Sequence, residues 1–242
     1  MTARNYKKSK EASISQYRIK PDEAAIITAI TYQKRDKLRA SVFIAGEFAF
    51  GVNVATIEKF RFRKGDELDL PLLEKLRDFD DRVSAKRLAS KYLNSRRRTE
   101  KEVRDKLRGE KFEAEIIEEI VIGLLQTGLL DDEAYSRAFI HDKRITKPVS
   151  SRQLSQELRK KGVTKNIIEN ILGEADEEEG EAERALKAAT KKWEQLLRRE
   201  NDEKKRKQKL ISFLGSRGFD YQIIKETLSH LADTSNDELE IE

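Results

Sequence analysis

Cysteine is absent from this chain of 242 residues, so it forms no disulfide bond and has no cysteine-ligated metal site. Only 3 prolines and 11 glycines interrupt it, which favours long helices. The chain has only 2 histidines, His141 and His230, which argues against acid–base catalysis. It has no GxxxxGK[ST] loop, which argues against nucleotide binding by that route. No apolar run approaches the roughly 18 residues of a membrane helix, and the polar, basic start lacks a secretory signal. We therefore expect a cytoplasmic protein that is not an enzyme and uses no cofactor or metal.

Charged residues make up 39% of the chain and hydrophobic residues 37%. This balance fits thin amphipathic helices with solvated outer faces better than one thick core. The formal net charge is +5 and the pI is about 9.1. Such a mildly basic balance permits contact with a polyanion without demonstrating it.

The first third of the chain differs from the rest. Residues 1–20 are expected to form a flexible basic arm, and residues 21–79 a strand-rich module. β-branched and aromatic residues cluster there in three stretches, at 26–32, 42–44 and 48–52. This pattern predicts a small antiparallel sheet of three strands. A short helix over Val54–Phe60 should follow, and a helix near 69–78 should cover the sheet, because three short strands bury little alone.

A motif that occurs three times dominates the remaining sequence. Its central residues are Leu107, Leu158 and Leu214, which recur after 51 and then 56 residues. In each copy a helix closes at the leucine, a turn ends on an apolar residue, and an isoleucine follows four residues after an N-cap position. The apolar pairs are Phe112 with Ile117, Val163 with Ile168, and Phe219 with Ile224. Apolar residues at N′ and N4 form a hydrophobic staple, so each copy predicts a helix–turn–helix.

The ends of these helices carry their own signals. Thr99–Glu102 and Ser150–Gln153 match capping boxes that open the middle helices. Gly162 and Gly218 fit a left-handed helix stop, and Lys111 holds that place in the first copy at a backbone cost.

A further helix precedes each pair, so each repeat is a unit of three helices. These leading helices are expected at about 81–95, 131–145 and 185–197. The predicted fold is therefore mainly α, with three tandem three-helix repeats in an elongated curved array after a small antiparallel β-sheet. The expected boundaries are 80–130, 131–174 and 175–232 for the repeats, and 233–242 for an acidic tail.

Several residues of the first two copies carry a resemblance to a known family. They are Tyr92-Leu93, Arg98-Thr99, Glu102-Val103, Lys106-Leu107, Gly128 to Asp132, Tyr135, and Gln156 to Val163. Together they resemble the core signature of the RecX family, and the arrangement extends over residues 80–230. One departure is Lys147-Pro148, where members often have Gly-Pro. The resemblance implies a modulator of the RecA recombinase, usually an inhibitor, that binds the RecA–DNA filament and acts in recombination and repair.

Basic residues recur in register near the helix turns. The candidate contacts to a partner or to DNA are Arg96, Arg97, Arg98, Lys101, Arg104, Lys143, Arg144, Arg152, Arg159, Lys160, Lys161 and Lys165. Taken singly, each is typical of a solvated helix end, where a cation also interacts well with the helix dipole. Their recurrence predicts a basic stripe that could meet DNA phosphates or an acidic protein groove.

Two functions remain open at this stage. In the first, the chain is a monomeric regulator that binds the RecA filament through several repeats and contacts no membrane. In the second, it is a stand-alone DNA-binding protein, because helix–turn–helix pairs recur. The second helix of such a pair would read the major groove. In the first copy that helix carries four glutamates that phosphates would repel, Glu113, Glu115, Glu118 and Glu119.

Overall fold

A computed structural model describes Ile14, Tyr17 and residues 25–237, with side chains to residue 231. The expected basic arm at 1–20 otherwise lies outside the described residues, as does the end of the expected acidic tail. The chain divides into two compact units. One contains residues 1–96 and 104–126, and the other contains 97–103 and 127–242.

The described chain is mainly helical, as predicted, with a small antiparallel sheet before the helices. The elements in chain order are β1 (Ala25–Tyr32), β2 (Arg39–Ile44), β3 (Glu47–Asn53), α1 (Val54–Phe60), β4 (Glu67–Leu68), α2 (Leu70–Ser95), α3 (Glu100–Gly109), α4 (Ala114–Gln126), α5 (Asp132–Thr146), α6 (Ser151–Lys160), α7 (Lys165–Glu178), α8 (Glu181–Leu197), α9 (Glu203–Ser216) and α10 (Tyr221–Asp237). The predicted helix over Val54–Phe60 is confirmed as α1. Helices α2 to α10 form the three expected triplets.

The sheet has the strand order β3-β2-β1-β4, and all its pairings are antiparallel. The prediction of three strands missed β4, whose two residues pair with Ala25 and Ile26. Two residues are too few for an alternating pattern to appear in the sequence. Val42 and Phe50 of the sheet pack with Leu73 and Leu76 of α2 in one buried cluster. The expectation that a helix covers the sheet is therefore confirmed.

Helix α2 is continuous from Leu70 to Ser95, whereas the sequence pattern predicted two helices, at 69–78 and 81–95. The buried Asp80 explains the difference. Its carboxylate accepts hydrogen bonds from the backbone N–H of Asn53 and from Thr56 Oγ1, both at 2.7 Å. These bonds satisfy the acceptors of a buried carboxyl group. Asp80 thus holds the β3–α1 junction against the middle of one long helix.

Each middle helix (α3, α6 and α9) ends in the same turn. The N–H of the residue that closes the turn donates to the carbonyl of the repeated leucine; the pairs are Phe112 to Leu107 (3.4 Å), Val163 to Leu158 (3.2 Å) and Phe219 to Leu214 (3.3 Å). The preceding residue is left-handed, with φ of 64° at Lys111, 88° at Gly162 and 80° at Gly218. This is the Schellman motif, and it confirms the predicted stop in all three copies.

The repeated leucines are fully buried, in agreement with the staple pattern. Leu158 lies in the core formed by α5, α6 and α7, and Leu214 in the core formed by α8, α9 and α10. The acidic stretch at 174–183, between the second and third repeats, is helical except at residues 179–180. Helix α10 also continues past residue 232, where the third repeat was expected to end.

The two predicted capping boxes differ. Thr99 and Glu102 form the full box: Glu102 N–H donates to Thr99 Oγ1 at 3.3 Å, and Thr99 N–H donates to Glu102 Oε2 at 3.2 Å. Ser150 accepts from Gln153 N–H at 3.1 Å, but its own N–H donates to the carbonyl of Arg217. The prediction of a second full box was therefore wrong, because the turn of the next repeat supplies the acceptor that Gln153 was expected to provide.

Candidate interaction surface of the helical repeats

The start of α3 docks on the turn that ends α6, and both lie in the second unit. Thr99 Oγ1 donates to the carbonyl of Lys161 at 2.7 Å. Lys161 Nζ forms an ion pair with Glu102 at 2.8 Å. The stem of Lys101 lies so close to Gly162 that a Cβ built there would overlap the Cβ of Lys101. Glycine at this position therefore serves close approach as well as the left-handed backbone.

The start of α6 docks on the turn that ends α9 in the same register. Ser150 N–H donates to the carbonyl of Arg217 at 3.0 Å, and Arg217 donates to the carbonyl of Pro148 at 2.7 Å. A Cβ at Gly218 would lie 2.6 Å from Ser150 Oγ. The side chain of Lys111, by contrast, is exposed. Glycine thus occurs at the two turns that carry a docked helix start, and lysine at the turn whose side chain faces solvent.

Three of the twelve predicted basic residues, Arg152, Arg159 and Lys160, are exposed on α6, and none forms an ion pair with a described residue. Arg152 and Lys160 line one shallow cleft of about 460 Å³, together with Gln153 and Gly215. Their side chains are therefore available to a partner.

Most of the other candidates have partners within the fold. The ion pairs are Arg104 with Glu118, Lys143 with Glu157 (2.6 Å), Arg144 with Asp176 (2.8 Å), Lys161 with Glu102 (2.8 Å) and Lys165 with Glu169 (3.5 Å). Arg97 donates to the carbonyl of Ala134 at 3.3 Å. Arg96 is exposed at the end of α2, Arg98 is half-buried, and Lys101 packs on Gly162. The structure therefore brings Arg152 and Lys160 to one cleft and gives most of the rest structural contacts.

Arg144 belongs to a buried charge cluster between the second and third repeats. Its side chain is 10% exposed, and that of Arg184 is 1% exposed. Both guanidinium groups contact the Asp176 carboxylate, which also accepts from Ser151 Oγ at 2.8 Å. Burial lowers the pKa of Arg144, and the nearby Arg184 lowers it further. The cluster holds α5, α7 and α8 together at the junction of the repeats.

Lys161 has an equally local role. Its hydrogen bond to Glu102 raises the pKa of the ammonium group, although burial opposes that rise. The ammonium also lies 5.8 Å from the centre of the Tyr135 ring. These contacts join the start of α3 to α6, so Lys161 contributes to the packing of the repeats.

A second basic surface surrounds Phe213 in the third repeat. Lys192 Nζ lies 5.5 Å from the centre of the Phe213 ring, and Arg217 lies 4.4 Å from it. Lys192, Lys205 and Lys209 line a cleft of about 520 Å³ next to this ring. Lys205 belongs to a run of four basic residues at 204–207. Lys192 and Lys209 were missed as partners because they lie on different helices.

Two further properties of the described part of the chain bear on function. Among the side chains that the structure describes, up to residue 231, no three of His, Cys, Asp or Glu are grouped as metal ligands would be. None of the helices within residues 25–237 is both long and apolar enough to cross a membrane.

Comparison with known proteins gives consistent matches along the chain. Four protein-family models match in order: the regulatory protein RecX N-terminal domain (25–69) and the first (85–122), second (131–172) and third (179–228) RecX three-helix domains. Regulatory protein RecX of Clostridium botulinum (strain Alaska E43 / Type E3) is 35% identical over 204 residues, which is 84% of this chain and 95% of that protein. Regulatory protein RecX of Clostridium acetobutylicum is 33% identical over 215 residues, which is 88% of this chain and 100% of that protein.

Two solved structures are also similar. A crystal structure of regulatory protein RecX has a TM-score of 0.60 and 29% identity, covering 85% of this chain and 99% of the other. That of RecX from Lactobacillus salivarius has a TM-score of 0.55 and 27% identity, covering 63% and 97%.

Proposed function

Because the chain belongs to the RecX family of regulatory proteins, we propose that it binds the RecA recombinase filament and inhibits the filament's ATP hydrolysis and strand exchange. The observation that carries this proposal is the ordered match of four RecX domains. The resemblance of the repeats to this family implies the recombinase as the partner. The chain would thereby act in homologous recombination and DNA repair.

The surface of α6 supports a binding role of this kind. Arg152, Arg159 and Lys160 are exposed and have no ion-pair partner among the described residues, so a partner would not have to break existing pairs. Individual surface charge contacts are worth only about 0.2–1 kcal/mol. Contacts from several tandem repeats would combine through their high effective concentration on one chain. A chain bound in this way would inhibit by blocking the entry of DNA or by biasing the packing of recombinase subunits.

The direct test is the DNA-dependent ATPase of the recombinase from the same organism. We expect the purified chain to lower ATP hydrolysis and strand exchange when fewer than one chain is present per recombinase subunit. The chain alone should hydrolyse no ATP. An unchanged recombinase over a wide range of chain concentrations would refute the proposal.

The contribution of α6 can be tested with the variant R152Q/R159Q/K160Q. Three weakened charge contacts correspond to roughly a tenfold loss of filament affinity, since 1.4 kcal/mol is a factor of ten. The matched control K75Q/K86Q/K225Q removes the same charge from three exposed lysines outside the candidate set. If both variants bind like the unmodified chain, the α6 cations are ordinary solvated side chains.

Direct DNA binding is the second candidate, and the same exposed cations favour it. The two candidate functions are distinguished by titrating bare DNA with the chain at several salt concentrations. Phosphate contacts give a log–log dependence of affinity on salt with a slope of about 0.9 per neutralised phosphate of duplex DNA. Loss of binding by the α6 variant on bare DNA alone would favour this candidate. Loss on filaments, with little bare-DNA affinity in the unmodified chain, would favour the regulator.

A further inference from the structure

The repeat register identifies a docking face on α9 that no described turn of this chain covers. On α6, the equivalent face begins at Gln153, which lies beside Gly218 of the third repeat, and continues to Gln156, which is exposed along the cleft that Gly215 also lines. The residues 56 positions later are Lys209 and Ser212. These residues are exposed and line the open cleft of about 520 Å³ beside Phe213.

The charge at the key position of this face differs from that at both counterparts, being positive where one is negative and the other neutral. The equivalent position is Glu102 on α3, Gln153 on α6 and Lys209 on α9. Glu102 forms an ion pair with the turn residue Lys161, and Gln153 lies beside Gly218. A turn with a basic residue like Lys161, docked at the same position on α9, would place its positive charge next to Lys209 and near Lys205. Like charges repel, so this face disfavours a further repeat and favours an acidic occupant.

Two carboxylates already pair with lysines of the cleft, and one of them, Asp202 Oδ2, lies 3.9 Å from Lys205 Nζ. Glu200 Oε2 forms an ion pair with Lys209 Nζ at 2.7 Å. Lys192 and Lys205 extend the positive lining, while Leu196 and Phe213 supply apolar surface between the lysines. The combination suits a segment that carries carboxylates and an apolar side chain.

We propose that the α9 face docks an acidic segment of the protein partner, which, if the proposed function holds, is the recombinase. A protein segment fits better than a nucleic acid for two reasons. In this chain the starts of α3 and α6 each contact a peptide turn. At α3, for example, the Thr99 hydroxyl donates to the backbone carbonyl of the turn residue Lys161. In addition, Lys192 and Arg217 both lie over the Phe213 ring, which reduces the surface on which a base could stack.

Photo-crosslinking from Gln208 tests the occupant directly. Gln208 is exposed and lines the cleft, so benzoylphenylalanine placed there should react with the docked segment. Gln222, exposed on α10, gives the matched control position. With recombinase assembled on single-stranded DNA, we expect Gln208 to crosslink to an acidic stretch of the recombinase and Gln222 to crosslink much less. A crosslink to DNA, to a second copy of this chain, or to a recombinase segment without acidic residues would overturn the inference.

A charge variant measures the same contact without a probe. K205Q/K209Q should weaken co-sedimentation with filaments by roughly fivefold, whereas the matched control K86Q/K225Q should not. Both variants should keep the helical circular dichroism of the unmodified chain, because they replace exposed side chains. If the unmodified chain does not co-sediment, the proposed function itself fails, and the inference fails with it. If it co-sediments and K205Q/K209Q binds equally well, only the inference fails.

Discussion

Replacing Gly162 by alanine tests whether the repeats dock as described. Gly162 has φ of 88°, and an alanine held in the left-handed region costs about 1–2 kcal/mol. Its Cβ would also overlap the Cβ of Lys101, an atom fixed to the backbone of α3. The start of α3 would therefore have to move away from the turn. Such overpacking typically costs a further 1–3 kcal/mol, so we expect a total of roughly 2–5 kcal/mol.

Gly128 provides the matched control for the free-energy cost of placing alanine in a left-handed backbone conformation. It has φ of 66°, it belongs to the same unit, and a Cβ there would meet no atom within 4 Å. Gly128→Ala should therefore lose only about 1–2 kcal/mol. Gly173, exposed within α7 and without a close neighbour, should instead gain about 0.5–1 kcal/mol as alanine.

The assay is equilibrium unfolding in urea, followed by the fluorescence of Trp193 and by circular dichroism. Trp193 is the only tryptophan, and it is buried in the third repeat, so it reports on the second unit. The difference between Gly162→Ala and Gly128→Ala isolates the docking contribution. Equal losses for the two variants would show that close approach at Gly162 contributes nothing and would refute the docking argument.

Three further predictions concern the same unit. Leu158→Ala should lower the free energy of unfolding by about 2–5 kcal/mol because the side chain is fully buried, and an unchanged melting temperature would contradict that burial. Lys161→Met should cost roughly 1 kcal/mol at pH 7. The folded pKa of Lys161 is raised above its ordinary 10.5, so this contribution is complete below pH 10.5 and is lost as the pH rises through the folded value. Urea titrations at pH 7 and pH 11 check this, and a pH-independent difference would argue against the ion pair. Arg184→Ala should cost about 1–3 kcal/mol in the same assay, because it removes one guanidinium partner from Asp176, whose side chain is 36% exposed and keeps Arg144; no measurable loss would show that the cluster is not structural.

The features of the candidate surface that depended on distant residues were not predictable from the sequence. The twelve candidate cations were chosen for their recurrence near helix ends, which does not distinguish a solvated arginine from a buried one. Arg144 and Arg152 both lie near a helix end, yet Arg144 is enclosed with Arg184 and Asp176, and Arg152 is exposed. Arg184 lies 40 residues from Arg144 along the chain. Only the packing of α8 against the second repeat decides which of the two arginines is available.

The sequence alone determined the helical repeats, because their signals are local. The Schellman turns, the staples and the Thr99 cap each involve residues within about six positions of one another, so periodicity and residue type are sufficient. The tertiary structure decided how the repeats meet: the long helix around Asp80, the half-formed cap at Ser150, and the second role of Gly162 and Gly218. Each of these depends on groups 24 to 68 residues apart, such as Thr56 with Asp80 and Ser150 with Gly218, and no local pattern encodes such a meeting.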